Sequence, residues 1–404
     1  MSGQAILAVN AGSSSLKFAL YPCSGSEIGP ARLSGTVEGL EPGGRPCMRI
    51  KGDTVELRQP IVVAGDGAPF DAALKAVQAA LEHHAAGMRM AAVAHRIVHG
   101  GERLLRSVRL DEEALHYLDS LAPLAPLHQP HNLAGVRAFA GRYPDLPQIG
   151  CFDTAFHASL PQLETLYALP RALREQGIRR YGFHGLSYQY VCAELKAHSG
   201  RADGRMVLAH LGNGASACAV RDGKSVATTM GFSALDGLVM GTRSGSLDPG
   251  VLLYLMQRGW SAERLEQLLY RECGLRGVSG ISADMRTLRA SEAPEAKLAI
   301  DLFIHRLVRE CGALAACLQG LDLIAFTGGI GEHDAALRAR TCDALAWLGV
   351  RIDRAANAAA DGSAAAPVHA AGSGVEIWVV PTDEGRVAAA EAARLIALAS
   401  GARG

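Results

Sequence analysis

Residues 5–21 read AILAVNAGSSSLKFALY: a short apolar strand, a turn of small polar residues and a second strand. Ile6, Leu7, Ala8 and Val9 run into Asn10, Ala11, Gly12 and three serines, so the strand ends in bare amides and hydroxyls that suit a phosphate. Beyond the turn Leu16, Phe18 and Leu20 alternate with Lys17 and Ala19, the period of a half-buried strand and not of a helix. Lys17 therefore sits beside the turn. The device returns at 207–220, VLAHLGNGASACAV, where a strand runs into Gly212, Asn213, Gly214, Ala215 and Ser216. At an offset of 201, Ile6, Leu7, Ala8 and Ser15 meet Val207, Leu208, Ala209 and Ser216. A third strand ends in glycines at 323–332, LIAFTGGIGE. Each alone is most simply a tight turn that needs glycine. Together they favour a polyphosphate nucleotide held between two related halves.

A chain of 404 residues is long for one core and ample for two domains. With 49% hydrophobic and 20% charged residues it is no disordered protein. Forty basic against forty acidic side chains leave no electrostatic footprint for nucleic acid or a membrane surface, and point to a small diffusible partner. Nine cysteines without a C-x-x-C pair fit buried thiols in a reducing compartment rather than a disulfide frame or zinc knuckle. No basic segment precedes the short first apolar run and no stretch approaches membrane-spanning length, so a cytoplasmic protein is expected.

Further strands are expected at 54–57 and 61–63, then a helix over 70–84 and a strand over 90–98, an α/β order. Residues 121–132, LAPLAPLHQPHN, read as a shaped loop, followed by a helix over 133–142 and a strand over 147–152 that delivers Asp153. The domain change is placed there. Beyond it come RRYGFHGLS, read as a strand-flanked loop, the second hairpin, and GTRSGSLDPG at 241–250, a loop opening a helix. Over 294–319, Ile300, Phe303, Ile304, Leu307, Val308, Cys311, Leu314, Ala315 and Leu318 keep helical spacing and read as core. The Ala, Gly and Ser of 355–374 suggest a mobile surface segment, or in part an alanine run that extends the preceding helix. A strand over 375–380 ends at PTDEG and a helix over 386–399 closes the chain. Packed back on the first domain, that helix gives domains 1–152 plus 386–404, and 153–385.

In HRIVHGG, 95–101, a metallopeptidase reading of His95 and His99 fails because no Glu follows the first His and four strand residues span roughly 13 Å. Arg96, near a strand end beside two glycines, can offer its fork to a carboxylate or phosphate, or form an ion pair. Arg243 in GTRSG has the same alternatives; the two together suggest a clamp. His128 and His184 are held by stiff or aromatic neighbours and are functional or merely structural hydrogen-bonders. Asp153 and Glu384 end apolar strands, as holders of Mg²⁺ or as caps. Gly212, Gly214 and Ala217 fit G-x-G-x-x-A, but RDGK turns the following stretch into a hairpin where a dinucleotide site needs a helix. Neither G-x-x-x-x-G-K-[ST] nor G-x-S-x-G occurs.

VNAGSSSLKF, HRIVHGG, LAPLH, CFDTAFH, RRYGFHG, HLGNGAS, MGTRSG, DMR, FTGGIGE and PTDE follow one another along nearly the whole chain. In these motifs the chain resembles the acetate and short-chain acyl kinase family, within the actin, hexokinase and Hsp70-like ATPases. The resemblance implies an α/β fold of two duplicated ribonuclease H-like (actin-like ATPase) domains with the active-site cleft between them, and a homodimer. It implies reversible, Mg²⁺-dependent transfer of the γ-phosphoryl group of ATP to acetate, giving acetyl phosphate, with Mn²⁺ able to replace Mg²⁺. Asn10 and Glu384 match the metal site, and Ser13, Ser15 and Lys17 the first phosphate cradle. Arg96 and Arg243 flank the carboxylate and transferring phosphoryl, His184 lies on that phosphoryl, and His128 and Asp153 support it. His210, Leu211, Gly212, Asn213 and Gly214 match the second cradle, Asp284, Met285 and Arg286 the adenosine contacts, and Gly329, Ile330 and Gly331 the nucleotide loop. Val98, Leu127, Phe183 and Ala234 match the methyl pocket, which makes propionate a plausible second acceptor. A non-catalytic ATP-binding regulator of the same fold is the alternative.

The sequence also departs from the family. The usual H-G-T-S-H reads His184, Gly185, Leu186, Ser187, Tyr188; the Asn after His128 is Gln129, and His131 replaces an Ala. The acid of T-R-x-G-D is Ser246, and the proline of the acyl pocket is Ala234. These bear on rate and acyl preference, not on reaction type.

Overall fold

The computed structural model describes residues 3–12, 15–41, 44–52, 55–63, 68–84, 87–126 and 128–401; Ser13, Thr54 and Leu127 lie outside these. The chain divides into two compact units, Met1–Ala155 with Asp383–Gly404, and Phe156–Thr382.

The first unit is built on one mixed sheet. Its strands are β1 (Gly3–Ala11), β2 (Ser15–Ser24), β3 (Glu27–Ile28), β4 (Leu33–Glu38), β5 (Cys47–Gly52), β6 (Glu56–Pro60), β7 (Met88–Ile97), β8 (Val108–Arg109) and β9 (Gln148–Phe152). They lie in the order β6-β5-β4-β2-β1-β7-β9-β8, with β3 beside β2. The opening stretch is the expected hairpin, Asn10 facing Lys17 and Ala11 facing Leu16. Residues 61–63 are not a strand: the ladder ends at Pro60, which has no N–H to donate, and Val62 stands 86% exposed. Strands β4 and β5 were not foreseen, because only Leu33, Val37, Met48 and Ile50 of their residues are buried.

The second unit repeats this plan with β10 (Met206–Leu211), β11 (Ala215–Arg221), β12 (Lys224–Thr228), β13 (Leu323–Thr327), β14 (Ala366–Pro367) and β15 (Glu376–Val379), in the order β12-β11-β10-β13-β15-β14. From β4 to β9 and from β12 to β15 the pairings run antiparallel, antiparallel, parallel, parallel, and a short antiparallel strand follows in each. Two sheets of one order are the signature of a duplicated ribonuclease H-like unit. The stretch 212–217 is the turn and second strand of a hairpin, which removes the dinucleotide fingerprint.

Helices cover both faces of each sheet. Leu7 and Val9 pack under the helix Pro69–His84, which precedes the first parallel strand, whereas Leu208 packs under Gly185–His198. The equivalent of Pro69–His84 in the second unit is Pro294–Leu318, which packs on β11 and β10 from the other side. A one-residue slip flips every side chain of a strand, so the true correspondence of β1 and β10 has an even offset, not 201. Along Pro294–Leu318 all the expected core residues are buried except Val308, which is half-buried. The last helix, Glu384–Gly401, follows β15 but packs on β1 and β7 of the first unit.

Three further expectations change. The helix expected from 133 is Gln129–Arg142, because Pro130 falls in its first turn, where a missing N–H costs nothing. RRYGFHGLS does not lie between strands; its last residues open the helix Gly185–His198. The segment 355–374 is a built part of the second unit: helix Arg354–Ala359, then β14, with Asn357 and Val368 buried. It is pinned by Arg338, fully buried, whose guanidinium donates to Asn357 Oδ1 at 2.7 Å, Asn357 O at 2.8 Å and Ala360 O at 3.1 Å. All nine cysteines are free thiols; five are buried and Cys317 is exposed.

Candidate active site

In the first unit the site grows from the ends of β7 and β9. Arg96, the penultimate residue of β7, donates Nε to Asp153 Oδ1 at 3.0 Å and Nη2 to Oδ2 at 2.7 Å, so the fork is filled by the carboxylate next after β9. Its Nη1 lies 3.1 Å from Glu384 Oε2, at the start of the last helix. Burial opposes the charge of Arg96, but Asp153 and then Glu384 outweigh it and hold the guanidinium more firmly protonated than a free one. The Asp153 side chain is 2% exposed and meets Arg96 through both its oxygens. Three of the five guanidinium donors are used, and two remain to meet an anion.

Asn132, on the first turns of Gln129–Arg142, was not singled out from the sequence. It accepts from Val98 N at 2.9 Å and donates to Ala11 O at 2.6 Å, tying the expected acyl-pocket residue Val98 to the end of the first cradle. It lies two residues after Pro130, inside the stretch read as a loop. Gln129 is wholly buried and donates to His99 O at 3.1 Å and Leu118 O at 3.2 Å, so it fills structure, not the pocket. His128 precedes this helix as its N-cap. Asn10 and Ser15 are half-buried at the cradle, and Lys17 is exposed.

In the second unit the groups converge above β10. His184 adopts φ 60°, ψ 25° at the entry to Gly185–His198, a left-handed conformation that costs a non-glycine residue about 1 kcal/mol or more. Its ring stacks on His210 with centroids 4.2 Å apart, and Nδ1 bonds Ser216 Oγ at 2.8 Å. His210 Nδ1 in turn meets Ser187 Oγ at 2.8 Å. A Cβ placed on Gly214 would lie 3.3 Å from Arg243 Nη2 and 3.4 Å from His184 Nε2. Glycine there keeps both cationic and hydrogen-bonding tips close to bare backbone. Arg243 donates Nη1 to Ala234 O at 2.9 Å; burial lowers its pKa, and no carboxylate pairs with it among the described residues. Phe183 is buried, and its carbonyl meets His157 Nε2 at 2.9 Å.

The nucleotide motifs adjoin this cluster. Gly241 N donates to Asn213 O at 3.0 Å, and Gly328, at φ 74°, approaches the Leu211 carbonyl so closely that a Cβ would sit 2.8 Å from it. Asp284 caps the helix Met285–Arg289; Met285 is buried, and the exposed Arg286 folds back on Asp284 with Nη2 to Oδ2 at 2.6 Å. Arg289 donates to both oxygens of Asp334 at 3.0 and 3.1 Å, joining that helix to Gly328–His333, which carries Gly329, Ile330 and Gly331. Glu332, also unforeseen, accepts from Gly328 N at 2.8 Å and Thr382 N at 3.2 Å and sets the loop.

A duplicated sheet of this order with glycine-ended strands and convergent arginine and histidine groups defines a phosphotransferase of the actin-like ATPase fold. The family model described as the acetokinase family matches residues 5–390. An acetate kinase of Rhodopseudomonas palustris is 49% identical over 383 residues, 94% of this chain and 95% of that protein. The crystal structure of Porphyromonas gingivalis acetate kinase is 34% identical, with TM-score 0.86 over 97% of this chain and 100% of that one. A propionate kinase structure from Francisella tularensis is equally similar, 34% identical with TM-score 0.86, over 96% of this chain and 98% of that one. The chain belongs to the acetokinase family and is an ATP-using phosphotransferase with a carboxyl group as acceptor.

Proposed function

We propose that this protein transfers the γ-phosphoryl group of ATP to acetate, reversibly and by direct in-line displacement, giving acetyl phosphate and ADP. The observation that carries the reading is the approach of Arg243 Nη2 and His184 Nε2 to one place above Gly214. A carboxylate is already a nucleophile, so no general base is required; alignment and cationic groups facing the equatorial phosphoryl oxygens suffice. Arg243, a half-buried cation without a carboxylate partner among the described residues, suits that charge. Arg96 serves with its two remaining donors while orienting Asp153 and Glu384. His128 supports the same centre.

Asn10 and Glu384 would hold Mg²⁺, or Mn²⁺. The fit rests on donor chemistry: both Asn10 and Glu384 offer hard oxygen. A sparse protein share is what an ion retaining waters and substrate phosphates needs. When bound, it would neutralise phosphate charge.

Val98, Phe183 and Ala234, with Leu127, would wall the methyl pocket, and Ala234 leaves room for propionate. Ser13, Ser15 and Lys17 would cradle phosphate in the first unit, the acyl kinase domain. His210 to Gly214, Asp284 to Arg286 and Gly329 to Gly331 would hold ATP in the second, the nucleotide domain. A homodimer is inferred from the helix Pro249–Gln257, which buries no residue and exposes Val251, Leu253, Tyr254 and Met256, a run of apolar side chains of the kind that marks a protein–protein contact. Free thiols throughout fit a cytoplasmic site. No helix among the described residues is long and apolar enough to cross a membrane.

With Mg-ATP, acetate and hydroxylamine the purified protein accumulates acetyl hydroxamate. Tight ATP binding without hydroxamate would make it a regulator instead.

A further inference from the structure

The protons around His184 can be counted. Tyr188 is wholly buried, and its phenol has one hydrogen-bond partner among the described residues, Ser216 Oγ. Ser216 Oγ has one other, His184 Nδ1, at 2.8 Å. Burial keeps the phenol neutral, well above its ordinary pKa. A buried O–H without an acceptor costs more than an ordinary hydrogen bond returns, so the single phenolic proton goes to Ser216 Oγ. Serine also has a single proton, and only His184 Nδ1 is left to receive it. Nδ1 is then the acceptor and the ring proton sits on Nε2, the nitrogen near Gly214 and Arg243 Nη2. The reversed relay, from Nδ1–H through Ser216 to Tyr188, would strand the phenolic proton in the core.

We propose that Tyr188, acting through Ser216, is a positioning residue that fixes His184 as the neutral Nε2–H tautomer, so that His184 meets the transferring phosphoryl as a hydrogen-bond donor. The proposal rests on the reading of His184 as a phosphoryl contact. Its surroundings agree: Nε2 of His184 and Nη2 of Arg243 approach the same place above Gly214, so two donors face one point. The tyrosine stands where the family pattern has a second histidine.

The test is ¹⁵N NMR of the full-length protein labelled at histidine, with His184→Gln to assign the ring signals. Wild type should show Nε2 protonated and Nδ1 bare. Tyr188→Phe frees the serine proton to turn either way, so the signals should move towards a mixture of tautomers. Its kcat should fall roughly fivefold, the effect of one neutral hydrogen bond, with KM for ATP and acetate held within about twofold. Ser216→Ala should act alike, and Tyr188→His, which restores an N–H donor, should recover most of the loss. A proton on Nδ1 in wild type overturns the proposal, as does a folded Tyr188→Phe with unchanged tautomer and kcat. Since the tautomer is read without substrate, an Nε2–H ring alongside wild-type kcat in His184→Gln would instead sink the phosphoryl reading alone.

Discussion

Arg243 donates Nη1 to the carbonyl of Ala234 at 2.9 Å, so the backbone of an expected acyl-pocket residue anchors the guanidinium that faces Gly214. The residue proposed for the pocket wall and the arginine proposed for the clamp are thus tied through one carbonyl.

Ala234→Pro tests this coupling. Proline fixes φ at 234 and keeps Ser233 extended, but retains the carbonyl that Arg243 uses. It also returns a ring to the pocket wall, where one methylene is worth about 0.8 kcal/mol and discrimination rarely exceeds about 3 kcal/mol. Wild type should use propionate within about tenfold of acetate in kcat/KM, and the variant should lower that ratio about three- to tenfold. Steady-state kinetics with both acids decides; an unchanged ratio means 234 does not gate the pocket.

Arg96→Ala and Arg243→Ala should each lower kcat about a hundredfold or more, and lysine should rescue both poorly because a point charge cannot copy the fork. Stability should separate them. Arg96→Ala breaks a buried bidentate ion pair and should cost about 3 kcal/mol or more, whereas Arg243→Ala removes a cation with no carboxylate partner among the described residues and should cost about 1 kcal/mol or less. Equal losses in urea unfolding would refute the difference in pairing.

His95, His99 and His157 are each pushed down to about 4 by burial. Unfolded, they titrate near pH 6.5, so from about 6.5 to 4 the unfolded chain binds more protons. Their contribution is therefore fully present above about pH 6.5 and lost on acidification, at up to about 1.4 kcal/mol per pH unit for each. Denaturant titrations at pH 7, 6 and 5 should show that slope, and His95→Asn should make it shallower. A flat profile would show that these histidines are not held neutral.

Chelation should abolish activity, and Mg²⁺ or Mn²⁺ should restore it. Glu384→Gln should raise the Mg²⁺ concentration for half-maximal rate by about tenfold or more. An unaltered requirement would place the metal elsewhere.

Leu253→Glu with Met256→Glu charges the exposed face of Pro249–Gln257. Sedimentation should report dimers for wild type and monomers for the double variant; two dimers would exclude this helix from the interface.

How much was legible in the sequence follows from how local each signal is. The hairpin at 5–21, the helix around Phe303 and the glycine-ended strands declare themselves within a few residues. What stayed hidden was tertiary. Nothing near Asn357 shows that Arg338 will bury its guanidinium there, so an ordered alanine-rich segment looked mobile. Arg96 read equally as clamp or ion pair because its partners, Asp153 and Glu384, lie far along the chain. The offset of 201 matched residue types but not faces, since Leu7 and Leu208 lie under non-equivalent helices.

The last helix also has a bearing on synthesis. Val387, Ala388, Ala389, Ala392 and Ala393, buried in the first unit, leave the ribosome after every other part of both sheets. The N-terminal unit is translated first yet stays open on one face until this helix has emerged, while the second unit already owns its covering helix, Gly185–His198. Nascent chains stalled before residue 384 should thus be cut by protease in the first unit and resist it in the second, and the reverse pattern would contradict this order of assembly.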